Sequence, residues 1–269
     1  MFPLIKIEWL KIKKYPAFWW MLGIVALTYP GINLLFYEVY HNLTSKKDMS
    51  AGIVKSLLGN PFAFPEAWHS VAFFSSFFIV VPAIMVIMLI TNEYNYKTHK
   101  QNIIDGWSRN QFMTSKVLDV AIVALVATIT YFITAACFGI FSTDSYDWTE
   151  QLQYIPLFFL QTFAQLSIAF LLGFLMKKAF IALGIFIFYS LIVEKIAVGL
   201  MKAFANDMGR FLPMEISNRL IPPPKFLRRI NVDAYDKSLQ IINEHIIYTI
   251  LLTAGIWWLC YAVYKKRDL

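Results

Sequence analysis

Six apolar stretches separated by polar connections dominate the pattern along the chain. All but the fifth, which is short, are close to the roughly 20 residues that a helix needs to cross a bilayer core of about 30 Å. The uncharged part of the fifth stretch ends at Val193, so we expect that helix to continue past Glu194 and Lys195. The predicted spans cover about residues 17–37, 71–91, 117–141, 155–176, 180–200 and 246–264.

The composition agrees with an all-α polytopic membrane protein of six transmembrane helices. The chain is 58% hydrophobic and 15% charged, whereas soluble domains carry about 25% charged residues. This difference excludes an ordinary soluble fold. The connections are brief except for residues 199–244, so we expect residues 1–269 to form a single transmembrane domain.

An amphipathic pattern precedes the first span. Phe2, Ile5, Trp9 and Ile12 follow one another at spacings of three and four residues, which places them on one stripe of a helix. Lysines occupy much of the remaining surface. The pattern predicts an interfacial helix over residues 1–15, with an ordinary basic flank of the first span as the alternative.

The distribution of basic residues predicts the orientation. Lys and Arg favour the cytoplasmic side in short loops near span ends. With the N-terminus and the C-terminus in the cytoplasm, the basic residues after spans two, four and six lie inside, and the acidic loop 142–153 lies outside. The long loop 199–244 carries seven basic residues on the outer side, but long loops follow this rule poorly.

The long loop has a pattern of its own. Apolar and charged residues alternate irregularly from Ala203 to Arg219, and three prolines at 222–224 stop any helix. The pattern is typical of outer re-entrant helices between spans five and six. A plain outer loop is the alternative.

The connection between spans two and three has clear internal boundaries. The pattern predicts a short helix from Tyr96 to Asp105, followed by Gly106 as a left-handed C-terminal cap. Ser108 and Gln111 then form a capping box that opens the third span. A short helix is thereby exposed between two spans.

The short helix has the composition of a docking surface. Its apolar residues need a surface to pack against. That surface is either a partner or the protein's own membrane-proximal surface, and the pattern leaves both open. The candidate partner-binding residues are Tyr96, Lys97, Thr98, His99, Lys100, Gln101, Ile103, Ile104 and Asp105.

Residues 92–116 resemble the signature that follows the second span of ABC-2-type permeases, the membrane subunits of ABC exporters with a type V exporter-like fold. In that family a glutamate and an aromatic residue end the second span, a threonine follows, and a small-Ser-Arg-x-x-Phe-x-x-x-Lys run opens the third. The matching residues are Glu93, Tyr94, Thr98, Gly106, Ser108, Arg109, Phe112 and Lys116.

The resemblance implies a function in transport. The short helix is then a coupling helix that docks to a separate ABC ATPase subunit, present in two copies. The chain forms a homodimer or a heterodimer with a second permease in the bacterial cytoplasmic (inner) membrane, surrounded by membrane lipid. An apolar or amphipathic substrate leaves outward. Glu93 and Arg109 lie at facing helix ends, and we expect them to form a structural charge pair.

The chain is expected to contribute no chemistry of its own. It has no G-x-x-x-x-G-K-[ST] phosphate loop, so ATP and Mg belong on the partner ATPase. The two cysteines and four histidines form no metal pattern, and neither a catalytic site nor a cofactor site nor nucleic-acid binding is predicted.

Two other classes of function remain as alternatives. One is a nonenzymatic membrane scaffold or sensor whose short helix docks a cytoplasmic partner. The other is an intramembrane enzyme, which requires polar catalytic groups converging at membrane depth. The sequence shows no such set, and the identity of the partner separates the exporter from the scaffold.

Overall fold

The computed structural model describes residues 10, 13–14, 16–45, 59–142, 147–204, 207–230 and 232–266. Most of these residues are helical, with no strand among them. Five helices are long and apolar enough to cross a membrane, and one bent pair makes a sixth if it counts as one span. The chain is therefore a multi-pass α-helical membrane protein, as predicted. The expected interfacial helix lies outside the described residues except at positions 10, 13 and 14.

The helices correspond closely to the predicted apolar stretches. The α2 and α3 helices form the bent pair, and α7 continues into α8 through a π-helical turn at Tyr189–Val193. Short 3₁₀ helices cover Met208–Phe211 and Lys225–Ile230. In chain order the helices are α1 Pro16–Thr44, α2 Glu66–Ser76, α3 Val80–Asn95, α4 Thr98–Ile104, α5 Arg109–Ser142, α6 Tyr154–Met176, α7 Ala179–Phe188, α8 Glu194–Phe204, α9 Pro213–Asn218, α10 Val232–Gln240 and α11 Ile242–Lys266.

Most helices are longer than the apolar run that predicts them. In a bilayer every backbone N–H and C=O needs an internal partner, which helices supply. The helical hydrogen bonding continues into polar flanks wherever a start signal lies further out. The α5 helix begins at Arg109 rather than at residue 117 because its start signal lies at Ser108. The fifth span continues to Phe204, as expected.

The second span is broken instead of continuous. The α2 and α3 helices meet at 52° across Phe77–Ile79. Pro82 has no N–H to donate to the carbonyl of Phe78, and that carbonyl accepts from Val81 at 3.0 Å. The proline therefore accounts for the bend, because it removes one helical hydrogen bond at this point.

The α6 helix forms the centre of the bundle. Within its most apolar stretch 61% of residues are buried, against 17% for the Ala179–Phe204 span. It packs against α3, α5 and α11. A Cβ at Gly173 would lie 2.6 Å from Ile90 Cγ2, so the missing side chain permits the close approach of α6 to α3.

The bundle has two polar ends with different construction. The first, here called the short-helix end, contains the end of α3, the α4 helix, the start of α5 and the end of α11. The second, here called the long-loop end, contains the 207–224 segment and the helix ends that contact it. Apolar helices separate the two.

Candidate functional site

The α4 helix is the centre of the short-helix end. It covers Thr98–Ile104, so the predicted helix is confirmed but shorter, with Tyr96, Lys97 and Asp105 in the flanking turns. Lys97 has φ 56° and Gly106 has φ 95°. Both lie in the left-handed region that reverses the chain direction, and the cap expected at Gly106 is therefore confirmed.

The capping box at the start of α5 is also confirmed. The backbone N–H of Ser108 donates to Gln111 Oε1 at 2.8 Å, and the N–H of Gln111 donates to Ser108 Oγ at 3.1 Å. Two backbone donors at a helix start are thereby satisfied reciprocally. The turn between α4 and α5 is consequently fixed at both sides.

One face of α4 is held against the end of α3. His99 is buried, its Nδ1 donates to the carbonyl of Glu93 at 3.0 Å, and its ring packs on Tyr94 at 4.5 Å between centroids. Asn102 is buried on the same face, and Ile103 is partly buried. These three side chains belong to the protein's own interior, so the self-packing alternative describes this half of the helix.

The opposite face of α4 is exposed. Tyr96 is 76% exposed and Ile104 is 77% exposed. The exposed polar residues around them are Lys97, Thr98, Lys100, Gln101 and Asp105. Of the nine candidate residues, seven thus lie on the surface, and His99 and Ile103 do not.

A buried charge cluster lies directly behind α4. Lys116 Nζ lies 2.6 Å from Glu93 Oε1 and 2.8 Å from Asp119 Oδ2, with side-chain exposures of 4%, 12% and 10% respectively. Opposite charges at this burial stabilise only when their geometry is close, as it is here. The cluster joins the end of α3 to the second and third turns of α5.

The expected pairing of Glu93 with Arg109 is wrong, because another residue pairs with Glu93. The structure places Lys116 on the Glu93 carboxylate. Glu93 precedes the end of α3 by only two residues, and the chain then makes the α4 excursion before α5 begins at Arg109. As a result, a residue about two turns further along α5 faces Glu93. The i, i+3 spacing of Lys116 and Asp119 was the available signal.

Arg109 instead connects α5 to α11. Its Nη1 donates to the carbonyl oxygens of Lys265 and Tyr264 in the last turn of α11. Carbonyl groups at a helix C-terminus lack helical donors and favour a cation. Phe112 stacks on Tyr264 beside this contact, with centroids 4.9 Å apart. Arg109 therefore ties the third span to the sixth.

At the long-loop end the 207–224 segment packs among the long helices. Its apolar side chains Met214, Ile216, Leu220 and Ile221 are buried. The α9 helix within it contacts α6, α8 and α11. The segment thus has its own buried core, unlike a loop lying on a surface.

Two histidines hold the backbone of this segment. His69 Nε2 on α2 donates to the carbonyl of Pro222 at 2.7 Å, and His245 Nδ1 on α11 donates to the carbonyl of Ile216 at 3.0 Å. Both rings are buried. They satisfy carbonyl groups that an irregular backbone leaves open, and unsatisfied buried carbonyls are costly.

Polar residues of the fourth and fifth spans hold the same segment. Gln165 Nε2 on α6 donates to Asn218 Oδ1 at 2.8 Å. The buried Glu194 carboxylate on α8 accepts from the backbone N–H of Glu215 at 2.6 Å, which caps the start of α9. Four spans therefore contribute a polar side chain to the 207–224 segment.

An ion-pair network closes the segment on itself. Arg219 donates to both oxygens of Asp207 at 2.6 and 2.8 Å, and its Nε donates to Glu215 at 3.1 Å. The hydrogen bond from Arg219 lowers the pKa of Asp207, and the same bond raises the pKa of Arg219. The network fixes the turn from the 3₁₀ helix into α9.

Within the described part of the chain, no three His, Cys, Asp or Glu side chains are placed to hold a metal ion. Cys137 is exposed on α5 and Cys260 is buried on α11, and the two cysteines form no disulfide with each other. The buried polar residues described above at the two ends have partners, and these contacts give them a structural role.

Comparison with known proteins gives one informative match. Neither the curated proteins nor the solved structures contain a match to the chain. A family model, described as a protein of unknown function (DUF2705), matches residues 52–269. That range includes α2 to α11 and both polar ends. The chain therefore belongs to the DUF2705 family of proteins of unknown function.

Proposed function

We propose that this chain is the permease subunit of an ABC exporter in the bacterial cytoplasmic membrane, with both termini in the cytoplasm. It works as a homodimer or with a second permease, and each permease docks one ATPase subunit that binds ATP and Mg. An apolar or amphipathic substrate moves outward along the chain. The chain itself performs no catalytic step.

The observation that carries this proposal is the division of α4 into two faces. One face is fixed by His99 and Asn102, and the other exposes Tyr96 and Ile104 by about three quarters. Contiguous exposed apolar side chains mark binding surfaces, and in this proposal Tyr96 and Ile104 form such a surface together with the partner. Lys97 and Lys100 beside them favour a partner whose groove is apolar with acidic margins.

The contacts behind α4 explain how a docked partner can act on the spans. Force on α4 reaches α3 through the contact of His99 with the Glu93 carbonyl, and it reaches α5 through the Gly106 turn. Lys116 joins the same two helices inside the bundle. Arg109 extends the connection to α11. In this proposal, movement of the ATPases changes the relative positions of these spans.

The 207–224 segment serves as the outer gate in this proposal, and we assign it as re-entrant. Polar side chains from spans two, four, five and six supply the partners that irregular backbone needs at membrane depth. A change in the relative position of the spans alters these contacts together. The gate thereby responds to the short-helix end without touching it.

The test is to co-purify the chain with the ABC ATPase encoded beside it. The variant Tyr96→Ala/Lys100→Ala/Ile104→Ala changes only exposed side chains, so we expect normal folding but loss of most ATPase association and of complex-dependent ATP hydrolysis. The matched control, Lys178→Ala/Lys265→Ala/Lys266→Ala, removes exposed side chains at the same end. It keeps the complex.

The scaffold or sensor alternative uses the same exposed face. Stable capture of a protein without a nucleotide site, lost in the Tyr96/Lys100/Ile104 variant and kept in the control, would replace the exporter by the scaffold. Equal association of the ATPase with both variants would show that α4 is not part of the interface.

A further inference from the structure

Two adjoining cavities lie at the long-loop end. Their volumes are about 240 Å³ and about 650 Å³. They share Phe73, Asn218 and Ile221 as wall residues, so they adjoin at these residues and are here called the joined cavities. The larger cavity is within the range of about 300–1,000 Å³ that small-molecule sites occupy.

Both helix irregularities of the bundle face the smaller cavity. Ser76, Phe77 and Val80 border the break between α2 and α3, and Ser190 and Leu191 belong to the π-helical turn of the fifth span. Such π-helical turns are frequent at functional sites because they displace side chains from regular helical positions. The cavity therefore lies where two spans depart from regular geometry.

The smaller cavity is largely apolar and opens sideways. Its apolar walls include Phe73, Phe186 and Met214. The polar residues that line it are Ser76, Gln165, Ser190, Lys195 and Asn218. Phe77 is 59% exposed and Leu191 is 55% exposed at its margin. Because both residues belong to spans, this margin faces the apolar part of the membrane. An apolar chain can enter from that side.

The larger cavity is charged, with an excess of basic groups around the joined space. Its two acidic side chains, Asp207 and Glu215, are both bound by Arg219. Lys202 and Lys237 line the larger cavity and Lys195 lines the smaller one. None of these three lysines forms an ion pair with a residue that the structure describes. Lys237 also acts on Asp207 through its charge, and the charges of Lys195 and Lys202 are available to an anion.

We propose that the joined cavities bind an amphiphile with one alkyl or acyl chain in the smaller cavity and an anionic head among Lys195, Lys202 and Lys237. The head is a phosphate or carboxylate, and the source is either a bilayer lipid or a free amphiphile. This inference rests on the proposed function in one respect, since it names the substrate class of the exporter.

The binding test uses the full chain in phosphatidylcholine nanodiscs without any ATPase. Radiolabelled decyl phosphate is added from water, and its binding is measured by scintillation proximity. Decanol serves as the neutral analogue with the same chain. We expect decyl phosphate to bind at least about tenfold more tightly than decanol, because several nearby lysines attract its head.

Two variants separate the chain contact from the head contact. The variant Lys195→Gln/Lys202→Gln/Lys237→Gln lowers the affinity for decyl phosphate by about tenfold or more and leaves the affinity for decanol unchanged. Ser190→Trp fills the smaller cavity and lowers the affinity for both ligands. The charge-matched control Lys178→Gln/Lys265→Gln/Lys266→Gln, at the short-helix end, leaves both affinities within about twofold.

Equal binding of decanol and decyl phosphate, or an unchanged affinity in the Lys195/Lys202/Lys237 variant, overturns the proposal. Displacement by phosphatidylglycerol in the nanodisc assigns the site to a bilayer lipid, and displacement only by added decyl phosphate assigns it to a free amphiphile. Since no ATPase is present, failure here leaves the docking of an ATPase on α4 untouched, and the reverse also holds.

Discussion

The two polar ends of the bundle differ in how their central elements, α4 and the 207–224 segment, are held. At the short-helix end, Lys116 contacts residues 23 and 3 positions away in the chain. At the long-loop end, the side chains that hold the 207–224 segment are between 21 and 153 positions from their partners. The first end is local around α4, with only its contacts to α11 reaching a distant part of the chain, as in the Arg109 contact 156 positions away. The second end is assembled from four spans.

This difference has a mechanical meaning. A local structure keeps its shape when the spans shift, because its contacts move together. A segment held by four separate spans changes whenever those spans change their relative positions. The short-helix end is therefore suited to receive a force, and the long-loop end is suited to respond to a rearrangement of the bundle.

The largest effect is expected at the buried cluster. Lys116→Met leaves the carboxylates of Glu93 and Asp119 buried without its ammonium group, and loss of one partner from such a cluster costs about 3–5 kcal/mol. We expect a large fall in the melting temperature of the detergent-purified protein, measured by thermal unfolding. The triple variant with Glu93→Gln and Asp119→Asn removes the uncompensated charge and restores most of the loss. Equal destabilisation in both variants would show that the cluster acts by packing alone.

A smaller and more local effect is expected at the cap of α9. Glu194→Ala removes the acceptor for the backbone N–H of Glu215, at a cost of about 1–2 kcal/mol. We expect the 207–224 segment to loosen while the short-helix end stays intact. The measurement is thiol labelling of Ile221→Cys against the partly buried Ile103→Cys, each in a chain whose Cys137 and Cys260 are replaced by serine and alanine.

Glu194→Gln is the matched control for that prediction. Its amide oxygen still accepts the Glu215 hydrogen bond, so labelling at position 221 stays near the parent level. Loosening at both reporter positions in Glu194→Ala would contradict the separation of the two ends.

The smallest effect concerns pH. The pKa of Asp207 is lowered by its hydrogen bond to Arg219, so the folded state binds fewer protons than the unfolded state at acidic pH. The stabilisation is present above the ordinary Asp pKa of about 4, and it is lost as the pH falls through the lower folded value. Because the pair is partly exposed, we expect it to contribute under about 1 kcal/mol to the free energy of unfolding.

Thiol labelling at position 221 between pH 7 and pH 3 measures this effect, with a thiol reagent that reacts across that range. Asp207→Asn should raise labelling at neutral pH and flatten the acid dependence. An unchanged pH profile in Asp207→Asn would show that this ion pair does not hold the segment closed.

The features that the sequence predicts well are those that depend on neighbouring residues. The spans follow from apolar length, and the start of α5 follows from Ser108 and Gln111. The turn at Gly106 follows from its position after an amphipathic run. The break of the second span also has a local cause in Pro82, but the apolar composition around it reads as one continuous helix.

The features that the sequence does not predict depend on packing between distant segments. His69 and His245 look like isolated histidines in the sequence, and only the fold brings them to the carbonyls of Pro222 and Ile216. The pairing of Glu93 with Lys116 depends on the register of α5 against α3. The burial of His99 depends on which face of α4 meets α3, and seven residues are too few to define that face by pattern.

The most direct test of the central claim is site-specific photocrosslinking from the two faces of α4. A photoreactive amino acid replaces Ile104 on the exposed face or Ile103 on the partly buried face, in the chain expressed with its neighbouring ABC ATPase. The account predicts a crosslink to the ATPase from position 104 and little or none from position 103. Equal crosslinking from both positions, or a crosslink from position 104 only to a protein without a nucleotide site, would contradict it.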